Sequence, residues 1–149
     1  MQTPALAAVF NSFEAKSKVY CWIGERPAAV DEYQTAYAIA QRVSLPQPEC
    51  YPLTHDALQR LDRTQAAHVL AVAGTGSLAY DQNRPSDASF RVVANALTEF
   101  SENAVFFSNG TWEAGSSISW HPLTTATFDC GVIGFDEKLA FIYWVEDED

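Results

Sequence analysis

The hydrophobic pattern changes its period once along the chain. In the first hundred residues apolar positions mostly recur at intervals of three and four, the spacing of one helix face. Thr3-Pro4 supplies a capping hydroxyl followed by Pro at a first helical position, and Leu6, Val9, Phe10 and Phe13 follow at helical spacing. Residues 18–23 form a short β-rich run closed by Gly24, which predicts a strand. Pro27 predicts the opening of a second helix, with Val30, Tyr33, Tyr37 and Ala40 on one face. Thr54 is the expected cap of a third helix carrying Leu58, Leu61, Gln65, Val69 and Val72 and stopping at Gly74. Its last part, residues 69–73, is apolar throughout and is equally compatible with a buried strand. Ser86-Asp87 starts a fourth helix with Phe90, Val93, Leu97 and Phe100 on its stripe.

The second part reads as strands. Residues 104–107 are followed by Asn109-Gly110, a tight-turn pair in which both residues tolerate positive φ. Residues 117–120 form another run, closed by Pro122. Residues 125–135 and 139–146 are two longer strands joined by Asp136-Glu137-Lys138. Sequential strands with short turns make an antiparallel meander. The expected fold is α+β: a single domain over residues 1–149 in which a mostly antiparallel sheet with a C-terminal meander packs against several N-terminal helices. The last strand is apolar on both faces, with Leu139, Phe141, Tyr143 and Val145 alternating with Ala140, Ile142 and Trp144. Such a strand is either central and covered twice or has one face at an interface.

Composition narrows the class. Apolar residues make up 48% of the 149 and charged residues 19%, the balance of a globular chain. Residues 1–15 lack the basic and apolar regions of a secretory signal, and no apolar run approaches the roughly 20 residues that span a bilayer. The expected compartment is the cytoplasm. The three cysteines, Cys21, Cys50 and Cys130, lie too far apart for a paired-ligand motif, and their odd number fits reduced thiols. The net charge of −10 is unevenly distributed. Residues 1–91 hold nine acids and eight bases, and residues 92–149 hold ten acids and one base, Lys138, so −1 and −9 respectively. That bias repels nucleic acid and anionic lipid and attracts basic proteins, although plain solubility also produces acidic surfaces.

Candidate chemistry is sparse. His55, His68 and His121 lack the close-spaced companions of a zinc site. Gly74-Thr75-Gly76-Ser77 has neither the Lys of a phosphate loop nor the third glycine of a dinucleotide fingerprint, and reads as a helix-ending turn. No GxSxG elbow is present. Cys130 sits among apolar and acidic neighbours, a setting that favours an inert thiol. Asp129, Asp136 and Glu137 could pair, but turn carboxylates are usually wet and unsuited to acid–base work. No catalytic group, metal or cofactor is expected. The acids point instead to binding. Four consecutive acids at the C-terminus cannot be buried unpaired, so they face water or a cationic partner. Trp112 beside Glu113, and Trp144 beside the tail, add aromatic surface on which guanidinium groups stack. The expected contact set is Trp112, Glu113, Asp136, Glu137, Glu146, Asp147, Glu148 and Asp149, with a solvated tail as the plainer alternative.

The segment from Pro122 to Asp149 carries Thr127-Phe128-Asp129-Cys130-Gly131-Val132-Ile133, an acidic turn and the closing Trp144-Val145-Glu146-Asp147-Glu148-Asp149. In these features it resembles the C-terminal end of bacterial immunity proteins that accompany polymorphic toxins, including those of contact-dependent growth inhibition. The resemblance covers about a fifth of the chain. It implies a non-enzymatic, stoichiometric inhibitor acting in the cytosol on a basic toxin domain, with nucleases prominent in that class because phosphate binding requires positive charge. A different expectation is a small enzyme or small-molecule sensor with a pocket between helices and sheet, drawing on His55, His68 or Cys130. A third is a DNA mimic or an adaptor dimerising through its sheet, against which the eight bases of residues 1–91 weigh.

Overall fold

Strands that are apolar on both faces need cover on both sides, and that requirement organises the molecule. The computed structural model describes residues 4–13, 18–29, 31–43, 58–75, 87–109 and 128–147. Their elements are α1 (Pro4–Ser12), β1 (Lys18–Glu25), α2 (Glu32–Arg42), β2 (Gln59–Leu61), α3 (Arg63–Thr75), α4 (Asp87–Leu97), β3 (Val105–Ser108), β4 (Phe128–Phe135) and β5 (Leu139–Asp147). The five strands form one sheet in the order β1-β5-β4-β3-β2, with every neighbouring pair antiparallel. The fold is α+β, with β3, β4 and β5 as a C-terminal antiparallel run in which β3 pairs directly with β4; the strand expected over residues 117–120 lies outside the described residues. β1 extends it beyond β5, and β2 extends it beyond β3.

The alternation in β5 separates two cores. Phe141, Tyr143 and Val145 join Cys130 and Val132 of β4 and Phe106 of β3 beneath α1, α3 and α4. Ala140, Ile142 and Trp144 join Ile133 and Phe135 of β4 and Val105 and Phe107 of β3 beneath α2. The strand is central and covered twice. Each fully buried Phe, Ile or Val here contributes about 2 kcal/mol by transfer out of water. On the three-helix side the rings interlock: Phe10 lies 4.8 Å and Phe13 5.0 Å from Tyr143, and Phe100 lies 5.3 Å from Phe141.

Local chemistry sets the helix boundaries, and in two places it differs from the sequence expectation. α2 begins after Asp31 and not at Pro27, because the Asp31 carboxylate accepts the Gln34 N–H at 2.8 Å, as an N-cap does. Its buried face is Thr35, Ala36, Ile39 and Ala40, while Tyr37 is exposed. The expected third helix is divided. Residues 59–61 are β2, paired with Phe106–Ser108, and Thr54 lies outside the described residues. Leu58 and Leu61, three apart, would share a helix face; here they enter opposite cores, as an extended backbone dictates. The helix starts at Arg63 behind a reciprocal cap. Asp62 accepts the Gln65 N–H at 2.7 Å, and the Gln65 side chain accepts the Asp62 N–H at 2.9 Å. Residues 69–73 are helical and wholly buried, which explains their lack of an amphipathic stripe. Gly74 is still helical, and a Cβ there would come within 2.3 Å of the Phe13 ring. At the end of α4, Arg63 donates to the carbonyls of Leu97 and Ser101 and lies 5.5 Å over the Phe106 ring, satisfying acceptors the helix leaves open.

Candidate functional site

A cavity opens where the β4–β5 turn meets the end of β1 and the segment after α4. It is an open cleft of about 830 Å³ lined by Glu25, Arg26, Thr98 to Ser101 and Asp136 to Leu139. Two of the sequence-predicted contact residues, Asp136 and Glu137, stand in it, together with Glu25, Arg26 and Glu99, which sequence reasoning did not single out.

Each acid in the cleft has a different role. Asp136 is buried and spends its carboxylate on the fold. Its Oδ1 accepts the N–H groups of Lys138 at 2.8 Å and Leu139 at 2.7 Å, closing the hairpin turn, and its Oδ2 accepts the Ser101 N–H at 3.0 Å, tying the α4–β3 connection to that turn. Arg26 donates to the Asp136 carbonyl at 3.2 Å and lies 4.9 Å over the Phe135 ring. Glu99 reaches the start of α1, accepting the N–H groups of Leu6 at 2.9 Å and Ala5 at 3.4 Å, where a carboxylate also complements the helix dipole. Glu137 is exposed. It accepts from Asn103 Nδ2 at 2.9 Å and Ser101 Oγ at 2.8 Å, and these donors, Asn103 first, hold its carboxyl below the usual carboxylate range. Among the described residues the one ion pair joins Arg60 to Glu32 at 3.0 Å, away from this cleft. The carboxylates of Glu99, Asp136 and Glu137 are thus oriented by neutral donors.

Glu146 belongs to the opposite end of β5. That strand has nine residues, so it separates the two groups of acids by roughly 30 Å. Glu146 is half-buried and accepts the Tyr20 hydroxyl at 2.5 Å; Lys18, its cross-strand partner, lies 5.2 Å over the Tyr20 ring. Burial, and then the bond to Glu146, push the Tyr20 hydroxyl above its ordinary pKa. Asp147 closes β5 opposite Phe128. Trp112, Glu113, Glu148 and Asp149 lie outside the described residues, as do His55, His121 and Cys50. The structure therefore brings Asp136 and Glu137 together and separates them from Glu146.

Trp144 corrects a sequence expectation. It is fully buried in the α2-side core and presents no surface to a partner. Its Nε1 is the one buried side-chain polar atom without a hydrogen-bond partner among the described residues.

Cys130 is buried beneath the helices, and His68 lies on α3; neither lines the cleft. Among the described residues no three His, Cys, Asp or Glu side chains converge as metal ligands would, and no helix is long and apolar enough to cross a membrane. Compared with protein-family models, curated proteins and solved structures, the chain matches none.

Proposed function

We propose that the protein is a stoichiometric inhibitor that binds a basic protein toxin domain in the cytoplasm, as immunity proteins do, and carries out no catalysis of its own. The observation that carries this reading is the cleft at the β4–β5 turn. There Glu137 is exposed, held in one orientation by Asn103 and Ser101, with its carboxyl kept below the usual range, and among the described residues it forms no ion pair. A carboxylate fixed before binding loses little side-chain freedom when an Arg or Lys arrives, so more of the interaction appears as affinity. The net charge of −9 over residues 92–149 adds long-range steering toward a cationic surface.

The test is co-expression with a basic C-terminal toxin domain, taken first from any large secreted protein that sequencing finds encoded beside this gene. Growth should be rescued, and the purified pair should associate at a rate that falls as salt rises. Replacing Glu25 and Glu137 together by Lys should slow association about tenfold or more while leaving thermal stability close to wild type. Unchanged rescue and an unchanged salt slope in that variant would remove the cleft from the interface; failure of the wild type to bind would end the inhibitor reading.

The cleft volume favours a second reading, because about 830 Å³ lies within the range of small-molecule pockets. Under that reading a metabolite screen by thermal shift should yield ligands whose stabilisation is lost in Arg26→Ala, with no toxin present.

A further inference from the structure

The two edges of the sheet are built differently. β2, at one edge, has only three residues, and Arg60 at its centre is exposed and charged. Short, charged edges resist pairing with other chains. β1, at the other edge, has eight residues. Its register with β5 runs without a bulge from Lys18 opposite Glu146 to Glu25 opposite Leu139. Between Lys18 and Glu25 lie Val19, Tyr20, Cys21, Trp22, Ile23 and Gly24, with no proline and no charge, and Val19 is 39% exposed. Among the described residues its backbone pairs only with β5 and leaves the outer row of N–H and C=O groups open.

We infer that this edge is a self-association surface on which a second copy of the chain pairs antiparallel, joining two five-stranded sheets into one. A two-fold axis perpendicular to the sheet keeps each face on its own side, so only residues of the same face can stand opposite one another. Val19, Cys21 and Ile23 share the face of Tyr143 and Phe141, and Tyr20 and Trp22 share that of Trp144 and Ile142. With the axis at Cys21, Val19 meets Ile23 of the second copy, Tyr20 meets its Trp22, Lys18 meets its Gly24, and the two Cys21 residues stand opposite each other. Apolar and aromatic side chains thus meet their own kind at every interior position. The neighbouring symmetric register, centred on Trp22, would set the apolar Val19 against the charged Glu25 within β1, so it is disfavoured. The occupant is therefore a second copy, because the strand is complementary to itself. An interface confined to one strand and its flanking side chains is small, and the dimer should be weak and reversible. Self-association is read in the absence of any toxin and does not depend on the inhibitor reading.

Sedimentation across a wide concentration range should show a monomer–dimer equilibrium for the full chain. Val19→Lys, at an exposed position, should weaken the dimer at least about tenfold, because symmetry places the added charge against Ile23 twice. Near-UV circular dichroism of that variant should match wild type. Register is read separately. In a Cys50→Ser background, with Cys130 buried, a short bis-maleimide at mildly alkaline pH should link Cys21 to Cys21, since opposed Cβ atoms lie about 5 Å apart; Cys21→Ser should abolish the product. A chain that stays monomeric at every concentration overturns the proposal. So does a dimer that Val19→Lys leaves intact, or one in which the reagent modifies Cys21, as intact mass shows, without linking two copies.

Discussion

Gly131 stands directly opposite Trp144 in the β4–β5 ladder, and its missing Cβ is the space in which the indole lies. A Cβ on Gly131 would come within 2.1 Å of the Tyr143 carbonyl oxygen and 2.7 Å of both Cα and Cε3 of Trp144. The first two are backbone atoms of a central strand and cannot move aside without breaking the ladder. On the other face Gly134 stands opposite Phe141, and its Cβ would meet ring atoms of Phe141 at 2.4 Å and Phe106 at 2.8 Å. Rings can shift by small rotations. Gly131→Ala should therefore destabilise by about 3 kcal/mol and Gly134→Ala by about half as much. Urea unfolding of the two variants checks the order; equal losses would show that the backbone clash is not the controlling term.

Asp136 is the fastener of the β4–β5 turn. Asp136→Ala strands three N–H groups, those of Ser101, Lys138 and Leu139, and should cost about 3 kcal/mol. Asp136→Asn keeps an oxygen for two of them but cannot also accept from Ser101 with its amide nitrogen, so its cost should be roughly half. Equilibrium unfolding of both variants gives the ratio. A near-neutral Ala variant would mean that water replaces the carboxylate.

Glu99 joins the first helix to the region after α4 across more than ninety residues of sequence. Glu99→Ala should loosen α1 and lower stability by about 1 kcal/mol, the usual size of a lost helix cap. Amide exchange should accelerate first in residues 5–12, while β4 and β5 keep their protection. Uniform acceleration across the sheet would count against this local role.

Stability should fall on the alkaline side through two groups. Desolvation raises the Cys21 thiol from 9.0 to about 11, and the Tyr143 hydroxyl, for the same reason first, from 10.0 to about 12. In both cases the folded state favours the neutral form. Their contribution is complete below pH 9.0 and is lost as the pH rises toward about 12, because the unfolded chain ionises first. Denaturant midpoints measured through this window should decline less steeply in Cys21→Ser and Tyr143→Phe, each compared with its own midpoint at neutral pH. An unchanged slope in both would assign the loss to other groups.

Much of the fold was legible because its signals are local. The first helix follows from a Thr-Pro start and helical spacing, α4 from its Phe90–Val93–Leu97 stripe, and the last hairpin from two strands flanking an Asp-Glu-Lys turn. The division of residues 54–74 was not legible in the same way. Leu58 and Leu61 satisfy a helical period by coincidence, and the Asp62–Gln65 cap that starts α3 is a four-residue signal that an apolar periodicity overrode.

The candidate site divides similarly. That the C-terminal region is acidic is a property of composition alone.

 Which carboxylates remain available was decided by tertiary structure. Asp136 turns inward onto backbone donors, Glu137 stays out, and Glu146 goes to the far end of β5 with Tyr20.

By itself the sequence determined the local elements, the two-faced character of the last strands and the charge bias, because spacing, caps, turns and composition act within a few residues. Only the tertiary structure decided that β1 pairs with β5, that residues 59–61 form a strand, and that Trp144 is enclosed. Those outcomes depend on hydrogen bonds and buried area shared between segments far apart in the chain. Local propensity is worth less than the pairing and burial that such partners supply.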